Sequence, residues 1–365
     1  MVIVQEVLSY LGQLAPFSSQ ESYDNSGLQV GSPMSEVKGI LVCLDCTEDV
    51  VEEAVAKGCN LIVSHHPLIF KGVKSLSGKT YVERTLIACI QNNLNLIAVH
   101  TNLDNSISGV NAEISKRIGL VNTRILQPKE NVIFKLEVFV PKQHLNQLKS
   151  ALFLAGVGTI GNYEECGFFA EGTGTFKPKI GATPTIGEIN QLSHVEEVKA
   201  EFIFSKHLQS QVLSAMFANH PYEEVAYNII PLVNHNQTEG AGMIGELTVP
   251  MEEEIFLQRI KEIFGCQLVR HTRLLGKKIK TVAVCGGSGS FLINLAKQNR
   301  ADIFITADFK YHEFFDSEGQ IVIADIGHYE SEQFTSHLII ELLKKKFTNF
   351  AVHLTGINTN PINYF

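Results

Sequence analysis

Short runs rich in β-branched residues recur in two separate stretches of the chain, and this repetition constrains the fold more than any other feature. In the first stretch Ile40 to Leu44, Leu61 to Val63 and Leu96 to Val99 are separated by segments with helical apolar spacing, after an opening helix whose face is marked by Val7, Leu8, Leu11 and Leu14. The pattern returns after about residue 243, where Thr281 to Cys285, Asp302 to Thr306, Ile321 to Asp325 and Phe350 to Leu354 read as strands with helices between them. Strands alternating with helices predict parallel βαβ units, so the expected fold class is α/β with two lobes.

The piece between them differs. It is bounded by polar stretches that read as linkers, Gln127-Pro128-Lys129-Glu130-Asn131 and Asn234 to Gly240. Inside lie a strand (Ile133 to Val140), a helix (Gln143 to Ala155), a Gly-rich hairpin region (Gly156 to Gly174), a strand-helix unit (Val198 to Asn219) and a closing strand (Val225 to Ile230). This βαββαβ order predicts a ferredoxin-like α+β domain inserted into a loop of the α/β fold. The expected division is therefore 1–127 for the first lobe, 128–235 for the insert and 236–365 for the second lobe, the two lobes forming one domain.

Composition narrows the function classes. At 365 residues, 45% apolar and 19% charged, the chain is long enough for two to three domains and is neither disordered, collagen-like nor coiled-coil. No apolar run reaches the roughly 18 residues of a membrane helix, and Gln5 and Glu6 stand where a signal peptide needs a basic start, so a cytoplasmic protein is expected. The net charge of −8, with Lys344-Lys345-Lys346 the one basic block, gives no footprint for nucleic acid. Seven cysteines spread over the length do not read as a disulfide framework. Cys43 and Cys46 form a C-x-x-C before a helix start, but Cys43 sits inside an apolar strand and is expected to be buried and unreactive.

The chemistry-bearing residues fall at strand ends. His65 and His66 follow Leu61 to Ser64 and precede Pro67; His100 and Asp104 follow Leu94 to Val99; His328 and Glu332 follow Ile321 to Gly327 and share a helical face at i, i+4. Ligands of open α/β sheets bind beyond the carboxyl ends of the strands, so the three groups can converge. A lone histidine there is more often structural, and Asp104 or Glu332 alone could cap a helix. Together they favour metal binding, and a set of histidines with carboxylates suits Fe, Mn, Co or Zn. The supply is enough for two ions, whose default chemistry is hydrolysis.

Three weaker features remain. Asp308 and His312 are spaced as neighbours on a helix face and could contact a ligand from outside the cluster. Gly286-Gly287-Ser288-Gly289-Ser290 could hold a phosphate on backbone N–H groups, or could simply be a tight strand-to-helix turn. His220, beside Pro221 in the insert, reads as structural.

Asp24 to Gly31, Ser64-His65-His66-Pro67-Leu68, His100-Thr101-Asn102-Leu103-Asp104, Thr306 to Glu313 and Gly327-His328-Tyr329-Glu330-Ser331-Glu332 together resemble the GTP cyclohydrolase 1 type 2 homologue family, also described as NGG1-interacting-factor-three-like dinuclear metal-centre proteins. The resemblance implies two related α/β lobes around a dinuclear metal site, with metal ligands His65, His66, Asp104, His328 and Glu332 and with His100 lining the site; if the substrate is GTP, His100 is the candidate catalytic proton carrier near the leaving nitrogen. It implies two divalent ions per subunit (Zn, Fe or Mn) and a ring-shaped homohexamer. Residues near 130 to 233, marked by Gly172 to Pro178 and His220 to Tyr227, are similar to the PII/CutA-like domain inserted in longer members. The implied activity is hydrolytic, with an activated water opening the guanine imidazole ring or hydrolysing a related nucleotide. The competing expectation is a non-enzymatic regulatory or scaffold hexamer whose insert senses a ligand.

Overall fold

The computed structural model describes all 365 residues. In chain order the first part comprises α1 (Val4–Leu14), β1 (Gly27–Val30), β2 (Gly39–Cys43), α2 (Glu48–Ala56), β3 (Leu61–Ser64), α3 (Tyr81–Gln91), β4 (Asn95–Ala98), α4 (Thr101–Asp104), α5 (Val110–Ile118) and β5 (Leu120–Lys129). The middle part holds β6 (Ile133–Pro141), α6 (Leu145–Leu154), β7 (Phe168–Phe176), β8 (Ser193–Ser205), α7 (Gln209–Asn219) and β9 (Tyr227–Leu232). The last part runs through β10 (Asn236–Glu252), α8 (Glu253–Phe264), β11 (Arg270–His271), β12 (Lys278–Ser288), α9 (Ile293–Gln298), β13 (Ile303–Ala307), β14 (Val322–Asp325), α10 (His328–Glu332), α11 (Thr335–Lys346) and β15 (Ala351–Leu354). No helix is long and apolar enough to cross a membrane.

Two compact units result, one of Met1–Pro128 with Gln237–Phe365 and one of Lys129–Asn236. The first unit contains two mixed sheets, ordered β1-β4-β3-β2-β15 and β11-β14-β13-β12-β10-β5. In each, the strands anticipated from their β-branched runs pair in parallel: β2 with β3 and β3 with β4 in one, β12 with β13 and β13 with β14 in the other. Every residue of β2, β3, β4, β13 and β14 is buried, because helices or the opposite sheet cover both faces. Alternate side chains divide accordingly. Ile40, Val42, Val63 and Ile97 from one sheet join Val282, Val284, Ile303 and Ile305 from the other in a single core with α1, α5, α8 and α11, while Leu41, Ile62 and Leu96 face a second cluster and Ala283, Phe304 and Ile323 a third. Each fully buried Ile, Leu or Phe contributes about 1.5–3 kcal/mol, so the shared core is what fixes one sheet against the other.

The structure differs from the sequence expectation in two places. The run 350–354 does not belong to the second sheet: β15 pairs in parallel with β2, Ala351 opposite Gly39 and Leu354 opposite Val42. An uncovered β2 would leave an entirely apolar strand as a sheet edge, and β15 removes that edge. The supposed linkers are largely strand, with Glu130, Asn131, Asn234 and His235 outside it. Gln127 to Lys129 ends β5 and Asn236 to Gly240 begins β10, and Gly240 (φ 159°) approaches the Gln127 carbonyl too closely for any side chain, so polar composition here marks strand ends that are only partly exposed.

The second unit has the βαββαβ order, with a four-stranded antiparallel sheet ordered β7-β8-β6-β9. Leu136, Val138 and Val140 of β6 pack with Leu148 and Leu152 of α6 and with Val212 and Met216 of α7.

Candidate metal centre

Local structure explains how each histidine is aimed. His65 and His66 extend the parallel pairing past β3, their N–H groups donating to the Cys43 and Leu44 carbonyls at 3.1 and 2.9 Å. Side chains alternate along extended backbone, so each imidazole meets a different partner. His65, fully buried, places Nδ1 2.8 Å from the Val99 carbonyl, which forces the proton onto Nδ1 and leaves Nε2 as a lone pair. His66 places Nδ1 2.7 Å from Asp45 Oδ1. His100, at the end of β4, places Nδ1 2.7 Å from Asp24 Oδ1, and the other Asp24 oxygen accepts from the Thr101 N–H at 3.0 Å.

From the second sheet, α10 starts at Gly327, whose φ of 95° and contact with the Glu330 carboxylate exclude a side chain. That start sets His328 and Glu332 one turn apart on the same face. His328 Nδ1 lies 2.7 Å from Asp308 Oδ2. Asp308 adopts a left-handed backbone (φ 58°), which aspartate tolerates, and Asp325 at the end of β14 holds both neighbouring segments by accepting from the Phe309 and Gly327 N–H groups at 3.0 and 3.1 Å.

The groups converge on Glu332. Its Oε2 is 2.9 Å from His66 Nε2, 3.1 Å from His328 Nε2 and 3.8 Å from His65 Nε2; Asp104 Oδ1 is 3.6 Å from His65 Nε2. Three sets of potential ligand atoms fall within 4.8 Å of one another: His65, His66 and His100; His66, His328 and Glu332; His65, Asp104 and Glu332. His65 Nε2 and Asp104 Oδ1 are buried without a hydrogen-bond partner. A buried acceptor left unpaired costs about 1–3 kcal/mol, and here two face each other.

Protonation follows from this crowding. Burial works against the His66 imidazolium, but its hydrogen bonds to Asp45 and Glu332 prevail and push its pKa up to about 10. His328, half-buried, is pushed up to about 11 by the Glu332 charge and the Asp308 hydrogen bond. Burial lowers His65, keeping it neutral. Burial and then the Glu332 charge push Asp104 well above the carboxylate range, whereas burial of Glu332 is overridden by His328, His65 and His66, which hold it well below. Asp24 is also held low, burial being overcome by hydrogen bonds from His100 and Thr101.

The cluster opens into a cavity of about 830 Å³ lined by both sheets' loops. The Gly-rich turn forms part of its wall through Gly286 and Ser288, and its first two N–H groups are already spent. The Gly286 N–H already donates to Asn111 Oδ1 (3.0 Å) and the Gly287 N–H to Ser331 Oγ (2.9 Å). Glycine is required because a Cβ at Gly287 would collide with the Glu332 carboxylate and one at Gly286 would lie 2.9 Å from Val110. Asn111 also donates to the Asp104 carbonyl at 3.0 Å, tying the two halves of the site together.

All six site residues expected from sequence, His65, His66, His100, Asp104, His328 and Glu332, thus lie at one place. Asp308 meets His328, but His312 does not join it: 311–317 is a 3₁₀ turn rather than a helix from Asp308, and His312 is exposed between the Tyr311 and Phe315 rings. Asp24 and Asp45 carried no role in the sequence reading; an aspartate two residues past an apolar strand is the one local hint for Asp45. Cys43 and Cys46 are buried free thiols, burial pushing Cys43 well above its ordinary value, and the thiol neighbour of Cys46 is Cys89 of α3.

Comparison with known proteins places this architecture. The family model described as DUF34/NIF3 (NGG1p interacting factor 3) matches residues 2–361. The chain belongs to the DUF34/NIF3 family. Among NIF3-family relatives, a Staphylococcus epidermidis protein named GTP cyclohydrolase 1 type 2 homolog is 39% identical over 368 residues, covering 99% of both chains, and a Staphylococcus aureus protein of the same name is 39% identical with the same coverage. Among NIF3-like structures, a Bacillus cereus protein related to NIF3 superposes with a TM-score of 0.86 at 36% identity, covering 100% of this chain and 99% of that one. The crystal structure of a Staphylococcus aureus protein gives 0.79 at 33%, with the same coverage.

Proposed function

We propose that this NIF3-family chain is a dinuclear, divalent-metal-dependent hydrolase, and the facing orphaned acceptors on His65 and Asp104 carry the reading. Two buried acceptors 3.6 Å apart, with a third on Glu332, are stable beside one another when a cation lies between them. Spacings of 2.9–3.8 Å among these nitrogens and oxygens are what ligands about 2.0–2.2 Å from a common ion require. His65, Asp104 and Glu332 would hold one ion, and His66, His328 and Glu332 the other; Zn, Fe and Mn all accept this donor set.

Bound ions of this kind supply a water of lowered pKa and polarise the bond under attack. The protein's part is orientation. The Val99 carbonyl, Asp45 and Asp308 each fix a ring by its Nδ1, so that Nε2 of His65, His66 and His328 faces inward. His100 is fixed through Nδ1 on Asp24, with ring centroids 5.4 Å from those of both His65 and His66, and is placed to pass a proton at Nε2 to a leaving nitrogen.

The relatives' name suggests a guanine nucleotide or a related compound as substrate, opened at the imidazole ring with release of formate. We further propose that 129–236 is a PII/CutA-like ferredoxin-like domain and that the chain assembles as a cytoplasmic homohexamer. Formate release from guanine compounds by protein loaded with Zn, Fe or Mn, with Glu332→Ala as control, tests the activity. Release that the substitution abolishes supports it, and intact substrates with both ions bound would favour a non-enzymatic regulatory or scaffold role.

A further inference from the structure

Resting on the same cavity as the hydrolase reading, we infer that its ligand is an uncharged or cationic ring compound of nucleobase or nucleoside type, held by the aromatic mouth of Tyr23, Phe70, Tyr81 and Phe291, and not a nucleoside triphosphate. Size does not decide between them, since about 830 Å³ takes either. Charge does. The lining contains five carboxylates (Glu21, Asp45, Glu48, Asp104 and Glu332) and no lysine or arginine. The guanidinium of Arg84 lies outside the lining and is engaged by Glu48 at 2.9 Å. Phosphate groups are held by Arg or Lys forks, or by unspent N–H groups at Gly-rich turns. The one Gly-rich turn in the wall has its Gly286 and Gly287 N–H groups committed to Asn111 and Ser331. With Glu48 already paired to Arg84, two divalent ions would bring four positive charges against the other four carboxylates, leaving no surplus to balance the four negative charges of a triphosphate.

The mouth offers something else. Tyr23, Phe70, Tyr81 and Phe291 are 63%, 46%, 60% and 61% exposed, a concentration of apolar ring surface that a folded chain ordinarily covers. Phe70 links this rim to the cluster: its centroid is 6.2 Å from that of Tyr23 and 6.1 Å from that of His100. A planar heterocycle stacked on Phe70 therefore has His100 beside it, and acceptors on the carboxylates suit N–H donors or positive charge on the ring.

Titration calorimetry of the metal-loaded full-length protein with guanosine and with GTP, with bound metal assayed after each titration, tests this. Guanosine is expected to bind at least tenfold more tightly than GTP, and Phe70→Ala, at an exposed position, to weaken guanosine at least tenfold with metal content unchanged. GTP binding as tightly as guanosine, no binding of either, or indifference to Phe70→Ala would overturn the inference. Guanosine binding without turnover would instead count against the hydrolase reading alone, and efficient GTP hydrolysis with tight GTP binding against this inference alone.

Discussion

His65 and His220 are both buried histidines with a ring nitrogen on a backbone carbonyl, yet their second nitrogens meet opposite fates. In the βαββαβ unit, His220 Nε2 bonds the Phe139 carbonyl at 2.9 Å and Nδ1 accepts the Tyr222 N–H at 3.2 Å, so the ring is fully used. In the two-sheet unit, His65 spends Nδ1 on Val99 and leaves Nε2 buried and unpaired against Asp104. Charges follow the same division. In the βαββαβ unit Glu137 is pulled down to about 2 by Lys135 and Lys199, which lie 2.8 and 3.1 Å away, whereas the carboxylates around His65 have no lysine or arginine among them. Burial alone therefore does not mark a candidate ligand; an unsatisfied lone pair facing buried carboxyl groups does.

The largest effect that would sharpen this contrast comes from Glu332, whose Oε2 lies within 3.8 Å of the Nε2 atoms of His65, His66 and His328. Glu332→Ala is expected to lower metal affinity by more than about a hundredfold, beyond the roughly 10–100-fold typical of losing an orienting partner. Chelator competition followed by elemental analysis measures it, and retained affinity would break the comparison. Asp308→Asn and Asp45→Asn remove those orienting partners and should each weaken the metal by about 10–100-fold while the fold persists. His220→Ala should do the reverse, costing roughly 1–3 kcal/mol in denaturant unfolding with metal affinity unchanged.

Protonation supplies the next effect. His66 and His328 are raised from an ordinary value of 6.5 to about 10 and 11, so the metal-free protein binds protons that the unfolded chain releases. Their contribution to metal-free stability is fully present below pH 6.5 and is lost as pH rises through 10 to 11. Metal must displace both protons, so affinity should rise with pH across that window. Calorimetry at pH 8 in buffers of differing ionisation enthalpy should show at least two protons released, from His66 and His328, to which the raised Asp104 can add a third; none released would mean that these groups do not bind the metal.

The smallest effect concerns the extended segment after β15. Thr359 donates to Asp45 Oδ2 at 2.7 Å while Asp45 Oδ1 holds His66, so Thr359→Ala should loosen the ring and weaken the metal only a few-fold. Chelator competition resolves such a change.

Much of this was legible in the chain because short apolar runs ending in His or carboxylate state both the element and its chemically useful end. His65, His66, His100 and Asp104 could be placed from strand ends alone, and His328 with Glu332 from helical spacing. Partnerships between distant segments were not. Asp24 meets His100 across 76 residues and Asp45 meets Thr359 across 314, with no periodicity to announce either. β15 reads as a strand from its composition, but which sheet it completes depends on an edge that only the assembled β2 exposes. Polar residues at 127–131 and 234–240 suggested linkers because partly exposed strand ends and true loops have similar composition.

Anomalous diffraction from crystals of protein loaded with a single metal, recorded on either side of its absorption edge, tests the central claim most directly. Two peaks should appear, one within about 2.0–2.2 Å of His65 Nε2 and an Asp104 oxygen and one equally close to His66 and His328 Nε2, with Glu332 reaching both. A fully loaded crystal with no peak beside His65 and Asp104 would contradict it.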